Sequence, residues 1–215
     1  LSIEQVAREV VRGWRIVSSH RSGGVSTPAV QHRDLAATVD TFSGSYPVLV
    51  GWGILPRLGE LLNESGITGP VYLITDDRVF DNYGRVAQMA LHQGGIDADI
   101  CILPSGEQNK SLEMARCLYD WLSERQAQRS HTLLAMGGGM VGDLVGFVAA
   151  TYNRGMGFVQ VPTSLTAMVD AAIGGKTALN LPQGKNLVGA FHQPKLVVSD
   201  VATLLTLPKR ETMEG

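Results

Sequence analysis

Residues 133–143 read LLAMGGGMVGD, an apolar run that stops on three glycines, and LVGFVAATY (144–152) follows. That order predicts a buried strand, a sharp glycine turn and a helix. The letters also satisfy Gly137-x-Gly139-x-x-Gly142, a dinucleotide fingerprint. In its usual setting the fingerprint follows the first strand of its fold, and an acid about twenty residues on ends the next strand. Here at least three strands precede Gly137, the next one ends in Pro-Thr-Ser (162–164), and Asp143 follows the loop directly. The match in letters is therefore largely accidental. Two readings remain for the glycines. Amides without a neighbouring Cβ can approach a phosphate at a helix start, or the turn packs tightly and binds nothing.

Outward from the loop, strands and helices alternate. YPVLVG (46–51), PVYLITDD (70–77), ADICILP (98–104), HTLLAM (131–136), GFVQVP (157–162) and KLVVSD (195–200) read as strands. Helical stretches run from ILPRLGELLNESG to its stop at Gly66, over VFDNYGRVAQMALHQGG (79–95) and over KSLEMARCLYDWLSER (110–125). The strand at 70–77 is almost continuously apolar, as strands covered on both faces of a parallel sheet are. The order predicts an α/β domain: a Rossmann-like, mostly parallel sheet with helices on both faces. This domain is assigned to 36–215. Before it, 18–35 is polar, holds Gly23-Gly24 and Pro28, and reads as a linker. Residues 1–17 place Ile3, Val6, Val10, Trp14 and Val17 at helical spacing, with Ser2 and Gln5 as a capping pair.

Composition narrows the function. Of 215 residues 44% are hydrophobic and 18% charged, and the net charge is -2, so no basic footprint argues for nucleic acid. No apolar run reaches membrane-spanning length, and LSIEQVAREV is not a signal peptide. Cys101 and Cys117 show no metal spacing and read as buried, reduced thiols of a cytoplasmic protein.

Parallel sheets bind ligands outside the carboxyl ends of their strands. The residues there are TDD (75–77), PSGEQNK (104–110), GGGMVGD (137–143) and PTS (162–164). Asp76 and Asp77 suit contact with a ribose or adenine, and equally suit capping of the next helix. Glu107 suits ribose hydroxyls, and Lys110 suits a phosphate or Glu107 itself. The plain alternative is a solvated loop in which Ser111 caps a helix. Residues 151–193 supply Arg154, Asp170, Lys176, Lys185, Asn186 and His192. Each lysine follows glycine on a turn, where it reaches an anion as a point charge. With Arg154, they point to a phosphorylated substrate. Asp170 lies in the apolar TAMVDAAI and needs a partner, either a ligand or one of those lysines. His192 is an acid–base candidate or a structural histidine. No His/Cys/Glu cluster has metal spacing, and no nucleophile elbow occurs.

Together SGEQNKS (105–111), GGGMVGDLVGFVAATYNRG (137–155), VPTSLTAMVDAAIGGKTALNLPQGKNLVGAFHQP (161–194) and LLTLPKRE (204–211) resemble the 3-dehydroquinate synthase family. The resemblance runs from about Val48 to Gly215. Glycerol dehydrogenases and iron-containing alcohol dehydrogenases share the glycine loop but not the NxPxGKN element seen at Asn180 to Asn186. The resemblance implies NAD on an N-terminal α/β domain, and a divalent metal, zinc or cobalt, held mainly by a helical C-terminal domain. It implies a cytoplasmic homodimeric lyase of the shikimate pathway, serving chorismate and aromatic amino acid biosynthesis. The substrate is a phosphorylated sugar acid, 3-deoxy-D-arabino-heptulosonate 7-phosphate, and the products are 3-dehydroquinate and phosphate. NAD takes a hydride, phosphate is eliminated, and the hydride is returned within one turnover.

Carried onto this chain, the resemblance implies NAD contacts at Asp76, Ser105, Glu107, Lys110, Gly138, Gly139, Asp143, Thr163, Ser164, Lys176, Lys185, Thr203 and Thr206. Lys185 lies beside the nicotinamide. Asp170, Lys176, Lys185 and Asn186 serve the substrate and the chemistry, and Arg154 reaches the phosphate across a dimer interface. Ser164 stands where the family usually has a second threonine, and the hydroxyl survives. The family's metal ligands fall after the position of Gly215. The expectation is therefore a chain with no metal ligands, without the helical metal-binding domain, and inactive alone. LSIEQVAREVV resembles the last helix of a shikimate kinase, which implies a piece of a bifunctional, multifunctional enzyme. The alternatives are another sugar-phosphate cyclase, a polyol dehydrogenase, or a non-catalytic nucleotide-binding domain.

Overall fold

The computed structural model describes residues 33–207 apart from Ser43. The helix expected over 1–17, most of the linker expected over 18–35 and the PKRE stretch lie outside the described residues.

Among the described residues, nine strands and four principal helices follow in chain order. They are β1 (Leu35–Thr41), β2 (Gly44–Gly51), α1 (Leu58–Glu64), β3 (Val71–Asp76), α2 (Arg85–Gln93), β4 (Ala98–Leu103), α3 (Leu112–Glu124), β5 (Thr132–Gly137), α4 (Gly139–Thr151), β6 (Gly157–Pro162), β7 (Lys176–Leu181), β8 (Gly184–Phe191) and β9 (Leu196–Asp200). Seven strands form one sheet in the order β1-β2-β9-β6-β5-β3-β4. All its pairings are parallel except β1 with β2. The Rossmann-like, mostly parallel sheet read from the sequence is what the chain builds.

Alternation along each strand divides the core between the two faces. Leu73, Leu134, Met136, Val159 and Val161 pack with α1 and α2 through Leu58, Leu61, Leu62, Ala87, Ala90 and Leu91. Tyr72, Ile74, Leu133, Ala135 and Phe158 pack on the other face with α3 and α4. All six residues of β3 and all six of β5 are buried. Each fully buried leucine contributes about 1.5–3 kcal/mol relative to an exposed one. The β3-to-β4 connection therefore crosses one face through α2, and the β4-to-β5 connection returns over the other through α3. This reversal leaves a crevice beyond the carboxyl ends of β3 and β5, the kind of switch point where open α/β sheets bind ligands.

Two features depart from the sequence reading, which starts the strands at YPVLVG and has none between 163 and 194. β1 precedes β2 and pairs with it as a hairpin. Its segment LAATVDT buries Ala36 and Ala37 against Tyr46, Val48 and Met168, a packing that small residues announce weakly. β7 and β8 form a separate antiparallel hairpin. Its inner face sets Leu179 and Val188 against the cluster around α4, while Lys185, Leu187, Gly189 and Phe191 face outward. The hairpin's pattern is diluted by lysines, asparagines and glycines, so no run of letters marked it. The cysteines also differ from expectation: Cys101 is half-buried and Cys117 exposed.

One buried carboxylate joins the strand ends. Asp200, at the end of β9, accepts from Gly53 N (2.7 Å), Leu55 N (2.8 Å) and Ala202 N (3.0 Å). It thereby holds the β2–α1 loop against the 3-10 turn Val201–Thr206. Asp200→Ala is expected to lower the unfolding free energy by about 3 kcal/mol, since one buried and two part-buried amides lose their acceptor. Urea denaturation measures it, and a loss under about 1 kcal/mol would show that water replaces the carboxylate.

Candidate functional site

Four loops converge at the crevice. The glycine loop runs from the end of β5 into α4, with Gly138 as the N-cap in an extended conformation and no side chain to cap the helix. Helix starts leave amide N–H groups without intrahelical partners and carry the positive end of the helix dipole. None of the three glycines has a positive φ, so backbone twist does not explain them. A Cβ on Gly137 would stand 2.7 Å from Val141 Cγ2, and one on Gly142 2.7 Å from Gln160 Oε1. Those two are packing glycines. At Gly138 and Gly139 the nearest atoms would be Ser164 Oγ at 3.5 Å and Ala171 Cβ at 3.7 Å, ordinary contacts. The protein leaves space over Gly138 and Gly139, and that cradle fits the phosphates of a dinucleotide.

The flanking loops close on it. Thr163 N donates to Gly137 O at 2.9 Å, which seats the PTS loop beside the glycines. On the β3 side Asp76 is the N-cap of the following helical turn and accepts from Val79 N at 3.0 Å. Burial pushes its carboxyl above the usual range, against the bond from Val79. Capping thus occupies Asp76 Oδ1 in this structure. A π-helical turn, Phe80–Gly84, aims Tyr83 at the opposite loop, where its hydroxyl donates to Thr203 O (3.0 Å) and meets Thr206 Oγ1 (2.8 Å). Thr203 donates its own hydroxyl to Asp200 O.

The loop after β4 carries the main electrostatic feature. Lys110 is only 4% exposed. Its ammonium bonds the Asp143 carboxylate, early in α4, and Asn186 Oδ1 at 2.6 Å. The suggested bond from Lys110 to Glu107 is therefore replaced, because the buried cation needs a buried anion. Burial drives the Asp143 carboxyl up, while the bond from Lys110 draws it down. Glu107 instead accepts from Asn180 Nδ2 at 2.8 Å and stands 4.0 Å from Lys185 Nζ. Asn180, whose role the sequence reading did not single out, also accepts from Asn186 N at 3.0 Å. The signal was present in the NxPxGKN spacing, but only the hairpin fold shows the two asparagines facing each other. Ser105 receives Asn109 Nδ2 on its carbonyl, and Ser111 caps α3 through Met114 N.

Beside Asp143 an open groove of about 370 Å³ is lined by Asp170, Lys176, Asn186 and Phe191 among others. Asp170 Oδ1 and Lys176 Nζ are 3.9 Å apart and both side chains are largely exposed, 69% and 66%. A pair so exposed adds little stability and remains open to a ligand. Lys185 is also free to move, at 74% exposure. The site therefore combines a glycine loop, a buried ammonium held by Asp143 and Asn186, and two exposed ammonium groups at the mouth.

Two suggested residues lie elsewhere. Arg154 follows the far end of α4, a helix of 13 residues and so about 20 Å long. Within one chain it is not brought to the groove. It is exposed, and Asn153, Arg154 and Gly155 all have positive φ. His192 is structural: its Nε2 meets Met156 O at 2.8 Å and its ring stacks on Phe158. Among the described residues no three His, Cys, Asp or Glu side chains are grouped to hold a metal ion. The divalent metal implied by the resemblance therefore has no fitting ligand set among them.

The model of the 3-dehydroquinate synthase N-terminal family matches residues 100–214. A 3-dehydroquinate synthase of Symbiobacterium thermophilum is 52% identical over 171 residues, covering 79% of this chain and 48% of the relative. A solved 2-deoxy-scyllo-inosose synthase, complexed with carbaglucose-6-phosphate, NAD+ and Co2+, superposes with TM-score 0.75 at 26% identity, covering 82% of this chain and 48% of that one. A 2-epi-5-epi-valiolone synthase from Streptomyces hygroscopicus subsp. jinggangensis, with NAD+ and Zn2+ bound, gives TM-score 0.71 at 27% identity, covering 89% and 48%. The chain spans about half the length of the curated relatives it matches.

Lys110→Met removes the cation that opposes the burial of Asp143. A carboxyl raised in the folded state keeps a proton that the unfolded chain has lost, so stability falls as pH rises. The fall begins near the ordinary value of 3.8 and continues to the raised folded value. Lys110→Met is expected to cost about 3–5 kcal/mol at pH 7, and less at pH 4. Urea titrations at the two pH values test this, and an equal loss at both would remove the buried-charge account.

Proposed function

The chain belongs to the 3-dehydroquinate synthase family, and on that premise we propose that it is the NAD-binding part of an enzyme that eliminates phosphate from a phosphorylated sugar acid. The reaction proposed is that of 3-deoxy-D-arabino-heptulosonate 7-phosphate giving 3-dehydroquinate. The observation that carries the reading is the vacant space over Gly138 and Gly139 at the start of α4, beside a groove bearing Lys176, Asp170 and Asn186.

The roles follow from the chemistry of each group. The amides at Gly138 and Gly139 would hold the pyrophosphate of NAD, with Thr163, Ser164, Ser105, Thr203 and Thr206 around it. Asp76 and Glu107 would accept ribose hydroxyls. NAD, when bound, supplies reversible removal of a hydride from a substrate carbon. Lys176 and Lys185 would draw the substrate's phosphate and carboxylate, as exposed ammonium groups on short turns do. Asp170 would accept its hydroxyls, and Asn186 would offer an amide N–H while its oxygen stays on Lys110. Lys110 and Asp143 would keep the floor of the groove dry and near neutral. Arg154 would act on the phosphate of a second copy, in a homodimer, because within one chain it stands at the other end of α4. Domain limits of 18–35 for a linker and 36–215 for the NAD domain belong to the same proposal, as does a cytoplasmic setting.

A second reading has its own support. Structural similarity to the 2-deoxy-scyllo-inosose synthase favours a cyclase with a different sugar phosphate. Phosphate release by the longer protein on each candidate sugar phosphate separates the two readings.

Gly139→Ala tests the cradle. Its Cβ has room within the protein, and alanine favours a helical first turn. The variant is expected to keep or slightly raise thermal stability while weakening NAD at least about tenfold, as a methyl group displaces a close phosphate. Calorimetry with NAD and a melting curve measure the two effects. NAD binding unchanged by the methyl group would remove the cradle from the site.

A further inference from the structure

We propose that Asn180 is a positioning residue that couples the cofactor loop to the substrate hairpin. The proposal rests on the reading above, in which NAD lies against the loop of Glu107 and Lys110 and the substrate lies in the groove beside Asn186.

Asn180 is tied to three separate places. Its backbone N donates to Lys110 O at 2.8 Å. Its Nδ2 donates to Glu107 Oε1 at 2.8 Å, and its Oδ1 accepts from Asn186 N at 3.0 Å. Asn186 completes a circuit, since its own Oδ1 accepts from Lys110 Nζ at 2.6 Å. Every polar function of the Asn180 amide group needed here is used in a fixed direction. An aspartate would keep the acceptor for Asn186 but would set a carboxylate against Glu107. A leucine would satisfy neither.

The circuit bears on function because of Asn186. It is not glycine, yet its φ is +59°, a left-handed conformation that persists where surrounding bonds enforce it. Asn180 holds its backbone and Lys110 holds its side chain. Asn180 lines the cavity of about 420 Å³ beside Glu107 and Lys185, and Asn186 lines the groove beside Lys176. The Asn180 amide therefore links Glu107 beside the one cavity to Asn186 beside the other. A cofactor that orients Glu107 thereby fixes Asn180, and through it the Asn186 amide offered to substrate. By linkage, an occupied substrate groove must favour the cofactor equally.

The test is a double-mutant cycle on the 215-residue chain, with the dissociation constant of NAD measured by calorimetry and the melting temperature recorded for each variant. N180D is expected to weaken NAD about tenfold in the wild-type background, and less than about threefold beside E107Q, where the new amide donates to the new carboxylate. A merely structural asparagine would lower the melting temperature and weaken NAD by the same factor in both backgrounds, and that additivity overturns the coupling. Unchanged NAD affinity in N180D overturns it as well. Failure of the wild-type chain to bind NAD overturns the reading of the cofactor site, and the coupling with it. That outcome is told apart because it appears before any substitution is made.

Discussion

A single buried ammonium constrains the whole ligand-facing end of this protein. Lys110 cannot stay charged inside the fold without a partner, since an isolated buried ion costs several kcal/mol or more. It obtains one from Asp143 and a further bond from Asn186. Those three residues belong to the loop after β4, the helix α4 and the hairpin β7–β8. Satisfying one charge therefore fixes three segments that are far apart in sequence. Asp143 carries the complementary constraint, for burial disfavours its ionised form and the bond from Lys110 offsets part of that effect. Neither residue is stable in its place without the other.

The sheet explains why these segments meet. The β3-to-β4 and β4-to-β5 connections pass over opposite faces, so the loops after β3 and β5 flank a crevice. The glycine loop enters that crevice at the start of α4. Its glycines divide by cause: Gly137 and Gly142 yield to Val141 and Gln160, while at Gly138 and Gly139 a Cβ would meet only ordinary contacts. Asp200 and Tyr83 then tie the outer loops into the same frame by neutral or backbone bonds. Lys176 and Lys185, by contrast, are largely exposed.

Much of the fold was legible because parallel strands covered on both faces must be apolar throughout. PVYLITDD, HTLLAM and GFVQVP therefore stood out, and the turns between them were marked by glycine and proline. The β7–β8 hairpin was not legible, because its outer face is solvated and its letters include Lys185, Asn186 and Gly189. β1 was hidden for a related reason, since Ala36 and Ala37 carry little apolar signal. In the site, the glycines, Asp143, Lys176 and Lys185 announced themselves through position at strand ends and after turns. The NxPxGKN spacing marked Asn180 as part of a motif, but its role appears only once Lys110, Glu107 and Asn186 are in place around it. The choice of Asp143 over Glu107 for Lys110 was equally invisible, as both lie near enough in the fold to be reached and only burial separates them.

By itself the sequence determined the class of fold and the family, and it pointed to the loops at the strand ends. Hydrophobic period and strand-end composition are local properties, written where they act. Tertiary structure alone decided which charge is sealed and which stays in solvent, that His192 is structural, and that Arg154 stands a helix length from the groove of its own chain. Those outcomes depend on burial and on distance between segments remote in sequence. Neither is defined until the sheet has brought the strand ends together.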